Sequence, residues 1–193
     1  ALSDPAAREV RGYWPKPFQA IVDNTSVEFF GPLGSGVGGS SNFYAAAFEQ
    51  PERHDLDDVD EIPHPTGGWP VCFDDFKPYF DKTRSLYSVF GQQNPLASEP
   101  VNLRPTPQDT DVEREIITSL QEAGLHPYRS HTAVKAISNC KNCFGSKCPY
   151  NCKQDGHSAG VEPALSTGRA ALLDNCDVTR IRGTRSSVSE LET

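Results

Sequence analysis

The spacing of apolar positions changes several times along this chain, and each change predicts a different element. Ser26 to Leu33 (S-V-E-F-F-G-P-L) is a short apolar run closed by glycine and proline, which predicts a strand. A glycine-rich turn follows, Gly34 to Gly39, and then Ser41 to Phe48 predicts a helix capped by Ser40 or Ser41. Phe76, Phe80, Thr83 and Tyr87 recur at helical spacing, so a helix is expected over Asp74 to Val89, ending at Gly91. The clearest period lies in Pro107 to Ala123, where Val112, Ile116, Ile117, Leu120 and Ala123 make one apolar face. Thr106 is the expected cap there, with Pro107 at the first helical position, Asp109 three residues after the cap and Gly124 as the stop. Thr132 to Ile137 and Val178 to Arg182 read as short strands. Residues 1–25 read as an extended arm, and the acidic, proline-bearing stretch Gln50 to Gly68 as a long surface loop. No internal repeat is visible.

These elements predict a mixed α/β (α+β) chain that is rich in loops. With 36% hydrophobic residues, 15 Gly and 16 Pro among 193, the chain is too apolar for disorder yet loop-rich for a free-standing domain. The net charge is −8 and no basic stripe is present, which argues against nucleic acid as a partner. No apolar run reaches the roughly 20 residues that a membrane span needs. The start does not read as a signal peptide. The chain begins at Ala1 and contains no Met, as expected of a trimmed terminus or of a segment from a longer gene product.

Gly34, Gly36 and Gly39 fit the spacing G-x-G-x-x-G, in which glycines let main-chain N–H groups approach a pyrophosphate. The full dinucleotide fingerprint also needs a second strand ending in an acidic residue about 20 positions on. Here that stretch is the acidic loop Glu52 to Glu61, so a first-fingerprint reading fails and a plain glycine turn competes with it.

What surrounds the glycines adds a resemblance. The run Gly34-Ser-Gly-Val-Gly-Gly-Ser-Ser-Asn-Phe-Tyr-Ala resembles the first signature loop of the glucose-methanol-choline (GMC) oxidoreductases, where a second glycine-rich loop passes against the flavin. Trp69-Pro70, Phe73-Asp74-Asp75-Phe76 and Pro78-Tyr79-Phe80 resemble the family element W-P … Y-x-D-L-x-P-Y-Y. Leu86 to Gly91 with Asn94-Pro95-Leu96 is similar to its following turn. Cys148 to Lys153, Pro163-Ala164-Leu165 and Val178 to Ile181 resemble the branch of cholesterol oxidases and long-chain alcohol oxidases. The likeness runs from Phe29 to Arg182 in family order.

This resemblance implies part of an FAD-binding domain plus part of a substrate domain. Residues 1–100 would form the flavin-lid portion, 101–160 a substrate-domain portion with a cysteine cluster, and 161–193 a return to the FAD-binding domain. It implies FAD contacts at Gly36, Val37, Gly38, Gly39, Ser40 and Ser41 through the main chain, with Asn42 and Tyr44 near the flavin ring and Val178 at the adenine. Phe43 stands where some members carry a flavin-linked histidine, so the FAD is expected to be non-covalent. The implied reaction is hydride transfer to flavin from a CH–OH group of an alcohol, sterol or sugar. Its partners would be that small molecule and the remainder of the enzyme chain. The family's C-terminal catalytic histidine and N-terminal nucleotide fold have no counterpart among these residues. No catalytic residue is therefore assigned, and the chain is expected to be inactive alone. His54, His64, His126, His131 and His157 read as ordinary surface residues.

Cys140, Cys143, Cys148 and Cys152 form C-x2-C-x4-C-x3-C, a spacing that suits zinc or an iron–sulfur cluster. An iron–sulfur cluster would pass electrons outward from the flavin; zinc or a disulfide pair would staple the loop; a metal-free core role is the third reading. The rival to the flavoenzyme is thus a non-enzymatic metal-binding module organised by these cysteines. Cys72 and Cys176 stand apart and read as structural. Asp55 to Glu61 lacks the glycine and terminal glutamate of a calcium loop and reads as solvated. Trp69, Phe73, Phe76, Tyr79 and Phe80 read as a packing cluster.

Overall fold

The computed structural model of the protein describes residues 3–135, 137, 140, 141 and 143–193. The class is the expected one: short helices and small antiparallel sheets joined by long loops. Two compact units are present, Ala1–Val161 and Glu162–Thr193.

The first unit opens with structure where an extended arm was expected. Helix α1 (Pro5–Val10) is capped by Asp4, whose side chain accepts from the Ala6 and Ala7 N–H groups. Strands β1 (Phe18–Val22) and β2 (Thr25–Phe29) form a hairpin with Phe18 opposite Phe29 and Val22 opposite Thr25. Its two turn residues, Asp23 and Asn24, have φ of 49° and 60°. That left-handed pair suits the right-handed twist of a two-residue hairpin, and Asp and Asn accept it more readily than other side chains.

The helix expected over Ser41 to Phe48 does not form; a single 3-10 turn, Gly39–Phe43, replaces it. An α-helix would need the Asn42 carbonyl for the N–H of Ala46. Instead the Lys153 ammonium takes the carbonyls of Asn42 (2.7 Å) and Tyr44 (3.1 Å). Ala46 then turns to φ 59° and is fully buried, its carbonyl accepting from the Ala133 N–H.

Helix α2 (Phe73–Leu86) stops before the expected Val89, because Ser88 turns to φ 52°. That turn delivers Val89 to the core, 1% exposed. The Phe73 N–H is capped by the Asp57 carboxylate at 2.8 Å. Phe80 contacts the rings of Phe73 and Phe76, but Trp69 and Tyr79 stay largely exposed, so the aromatic cluster is smaller than expected. Arg53 of the acidic loop is held by Asp57 and by Asp74 of α2, and Asp58 accepts from the His64 N–H.

Helix α3 (Asp111–Glu122) starts four residues after the expected position. Thr110 and Glu113 form a reciprocal capping box, each side chain accepting the other's main-chain N–H, which outweighs the Thr106–Pro107 signal. The expected apolar face exists but buries nothing: Val112 is 64% exposed and Ile116 53%. Ile116 and Ile117 border a cleft of about 430 Å3 shared with Phe90, Tyr128, Val134 and Phe144.

The Thr132 to Ile137 strand is reduced to isolated bridges, Thr132 to Ala47 and Phe90, and Val134 to Lys153; Ala136 lies outside the described residues. These bridges enclose the core of the unit: Ala46, Val89, Ala133, Val134, Cys148 and Cys152, with Tyr44, Phe48, Tyr87 and Phe90 packed against it.

The second unit holds helix α4 (Glu162–Ser166) and strands β3 (Arg180–Gly183) and β4 (Val188–Glu192). β3 begins two residues after the expected Val178 and pairs antiparallel with β4, Ile181 opposite Leu191, with an irregularity at Gly183. Among the described residues no helix is long and apolar enough to cross a membrane.

Candidate functional site

The glycine loop is packed on one side and bare on the other. A Cβ on Gly34 would lie 2.4 Å from the Gly39 carbonyl, and one on Gly38 would lie 2.8 Å from the His157 N–H and from the Asn42 side chain. A Cβ on Gly36 or Gly39 would meet nothing within 4 Å. Gly38 and Gly39 both take positive φ, 93° and 59°, which glycine alone adopts without strain. No acceptor among the described residues takes the N–H of Gly36, Val37 or Gly38.

Side chains fix the packed side. Asn42, 5% exposed, donates Nδ2 to the Val37 carbonyl at 2.8 Å. Ser41 Oγ donates to the Gly38 carbonyl (2.5 Å) and accepts from the Gly156 N–H (2.9 Å). Ser40 Oγ accepts from the Gly34 N–H at 3.0 Å. The Tyr44 hydroxyl donates to the Gln154 carbonyl. Burial, then the neighbouring Tyr87 and Asp155, push that phenol above its ordinary range, so it stays a donor. Phe43 stacks on Tyr13 with ring centres 4.2 Å apart. The side chains of Asn42 and Tyr44 are thus engaged in bracing the loop, whereas Gly36, Val37 and Ser40 are exposed.

The brace converges on Lys153, 2% exposed. Its Nζ reaches the carbonyls of Asn42, Tyr44, Cys143 (3.2 Å) and Ser146 (2.7 Å). An ammonium has three N–H groups, so one is shared between two of these four oxygens. Burial lowers the Lys153 pKa, opposed by Asp155 and by the neighbouring thiols. One side chain therefore ties the glycine loop to the cysteine loop.

The four clustered cysteines are brought together. Cys148 and Cys152 are buried, with sulfurs 3.2 Å apart, and Cys140 Sγ lies 3.8 Å from Cys152 Sγ. Burial first, then the Cys148 and Cys140 thiols, push the Cys143 thiol up. Burial disfavours the Cys148 thiolate, but the Lys153 N–H, the Cys152 thiol and the N–H groups of Tyr150 and Cys152 outweigh it, bringing the thiol down to about 7. Burial and hydrogen bonds to Cys148 and Cys140 push Cys152 up. Cys152 therefore stands between Cys140 and Cys148. Among the described residues no three His, Cys, Asp or Glu side chains already surround a common point fit for a metal ion. Cys72 and Cys176 are exposed.

Two features escape the sequence pattern. His131, expected at the surface, is 3% exposed. Its Nε2 is 3.0 Å from the Gln92 carbonyl and its Nδ1 3.0 Å from Glu49, which also accepts the His131 N–H. Asp155 is buried too, accepting from the N–H groups of His157 (3.0 Å) and Ser158 (2.8 Å) to start the turn that supports Gly38. His131 binds main chain that is distant in sequence, a signal that local spacing does not carry, whereas Asp155 binds main chain two and three residues on. Val178 is half-exposed and belongs to the second unit, outside β3.

Comparison with protein-family models, with curated proteins and with solved structures found no match.

Proposed function

We propose that this chain is a segment of an FAD-dependent oxidoreductase of the GMC type, acting on a CH–OH group of an alcohol, sterol or sugar. One observation supports this reading beyond the resemblance itself. The main chain from Gly36 to Gly39 is rigidly backed by Asn42, Ser41 and His157, yet its outer side is clear of protein atoms. Such a surface can take a flat or charged ligand through N–H groups. The donor set fits FAD: Gly36, Val37 and Gly38 would offer N–H groups, and Ser40, exposed, a hydroxyl. Bound flavin would supply the hydride acceptor. The chain's own part is to hold and orient it, since no residue here is assigned as acid or base.

The test uses the gene product that contains this segment. It should carry yellow flavin that denaturation releases. Gly36→Val should leave the melting temperature unchanged, because its side chain enters open space. It should weaken FAD binding roughly tenfold, the equivalent of about 1.4 kcal/mol. A colourless product, or unaltered affinity in the variant, overturns the reading.

A second reading, a metal-binding module organised by Cys140, Cys143, Cys148 and Cys152, is favoured by the contacts of the Cys152 sulfur with those of Cys140 and Cys148. Metal analysis of the purified chain separates it from a thiol core that holds no ion.

A further inference from the structure

We propose that Cys140, Cys143, Cys148 and Cys152 bind one zinc ion as a tetrathiolate, and that this ion sets the loop that Lys153 joins to the glycine turn. The proposal rests on the metal-binding reading of the cluster and goes beyond it by choosing the metal and its purpose.

Sulfur spacing makes the choice. Four thiolates about 2.3 Å from one zinc lie about 3.8 Å from one another on the edges of a tetrahedron. Cys140 and Cys152 are at 3.8 Å and Cys148 and Cys152 at 3.2 Å. Two of the six edges of such a tetrahedron, both meeting at Cys152, are therefore already near their final length. A four-iron cluster puts each thiolate on a different iron, and would require Cys148 and Cys152, both buried in the packed core, to be driven apart. A two-iron cluster puts two thiolates on each iron, and would require the sulfurs to part into two pairs, whereas Cys152 meets both Cys140 and Cys148. The single ion requires only that Cys140 and Cys143, both partly exposed, swing inward to complete the tetrahedron.

The chain order fits as well. Cys140 and Cys143 are spaced C-x2-C and Cys148 and Cys152 C-x3-C, two short ligand pairs of the kind structural zinc sites use. Gly145, at φ 71°, lies between the pairs. Zinc with four thiolates carries a net charge of −2, and the buried Lys153 ammonium, held on the Cys143 and Ser146 carbonyls, lies beside it. With all four positions taken by protein, no site is open for water or substrate. The ion's role is structural: it fixes the carbonyls of residues 143 and 146, which with those of 42 and 44 form the lysine's cage.

The chain should be purified without chelators and assayed for zinc, iron and acid-labile sulfide. The expected result is one zinc per chain and no sulfide. Cobalt exchanged for the zinc should give intense visible bands and sulfur-to-metal charge transfer in the near ultraviolet. Cys140→Ser and Cys143→Ser, at the partly exposed positions, should lose the ion, while Cys72→Ser and Cys176→Ser keep it. Should the serine variants fail to fold, mercurial titration of the unaltered chain still reports: one zinc should be released as four thiols are blocked. Iron with stoichiometric sulfide would overturn zinc and leave the metal-binding reading standing. Thiols or disulfides that take up no metal under reducing, zinc-replete conditions would overturn both.

Discussion

At the scale of single residues, Lys153 decides more than any other side chain. Its side chain is buried and its ammonium satisfies four carbonyls that belong to two separate loops. Lys153→Met keeps the stem and removes every donor. Several buried carbonyls then lose their only side-chain partner, at a cost of about 3 kcal/mol in a urea denaturation experiment. An unchanged midpoint would show that the cage is filled by water at no loss. Nothing in the sequence marks this lysine: Lys141 and Lys147 flank the same cysteines, and only contact with residues 109 to 111 positions away distinguishes it. The burial of His131 is unmarked in the sequence for the same reason, its partners Glu49 and Gln92 being 82 and 39 positions distant. By contrast the thiol cluster was legible, because its members lie within one short window.

Among elements, α3 shows where local signals succeed and where they compete. The apolar period located the helix and Gly124 closed it, but two caps were on offer. Thr110 prevailed because Glu113 returns a bond to the Thr110 N–H at 2.7 Å, and also receives Arg129. Those bonds, the Thr110 N–H and hydroxyl first, hold the Glu113 carboxyl below its usual value of 4.5. A carboxyl depressed in the folded state gives stability that is complete above its unfolded value. That stability is lost as the pH falls through the folded one. Stability should therefore decline below pH 4.5, and Thr110→Ala with Glu113→Gln should flatten that acid limb in melts taken against pH. A limb of the same slope in the double variant would exclude the box as its source. The Ser41–Phe48 segment failed for the opposite reason, its helical carbonyls being claimed by Lys153 from outside the segment.

For the whole molecule, every buried apolar residue among those described lies between Ala46 and Ala159, inside the first unit. The second unit keeps β3 and β4 exposed at every residue but Glu192. A chain ending at Val161 should consequently retain its cooperative transition and lose less than about 1 kcal/mol, since the buried core lies within the retained unit. Calorimetry of the truncated chain checks this, and a broad or absent transition would contradict it. The mixed α/β class was readable from alternating periods, whereas the expected boundaries near residues 100 and 160 followed a family resemblance.

The β1–β2 hairpin carries a last consequence. It is a sheet of two strands, so it has two margins and no interior, and β2 is solvent-facing along all five residues. Such margins are templates for any extended segment that arrives in register. Ile21, Val22, Val27 and Phe29 supply the greasy side chains that would make an added strand adhere. In concentrated samples this corner is where filament growth or strand exchange between molecules is expected to begin, well before the thiol-lined centre opens.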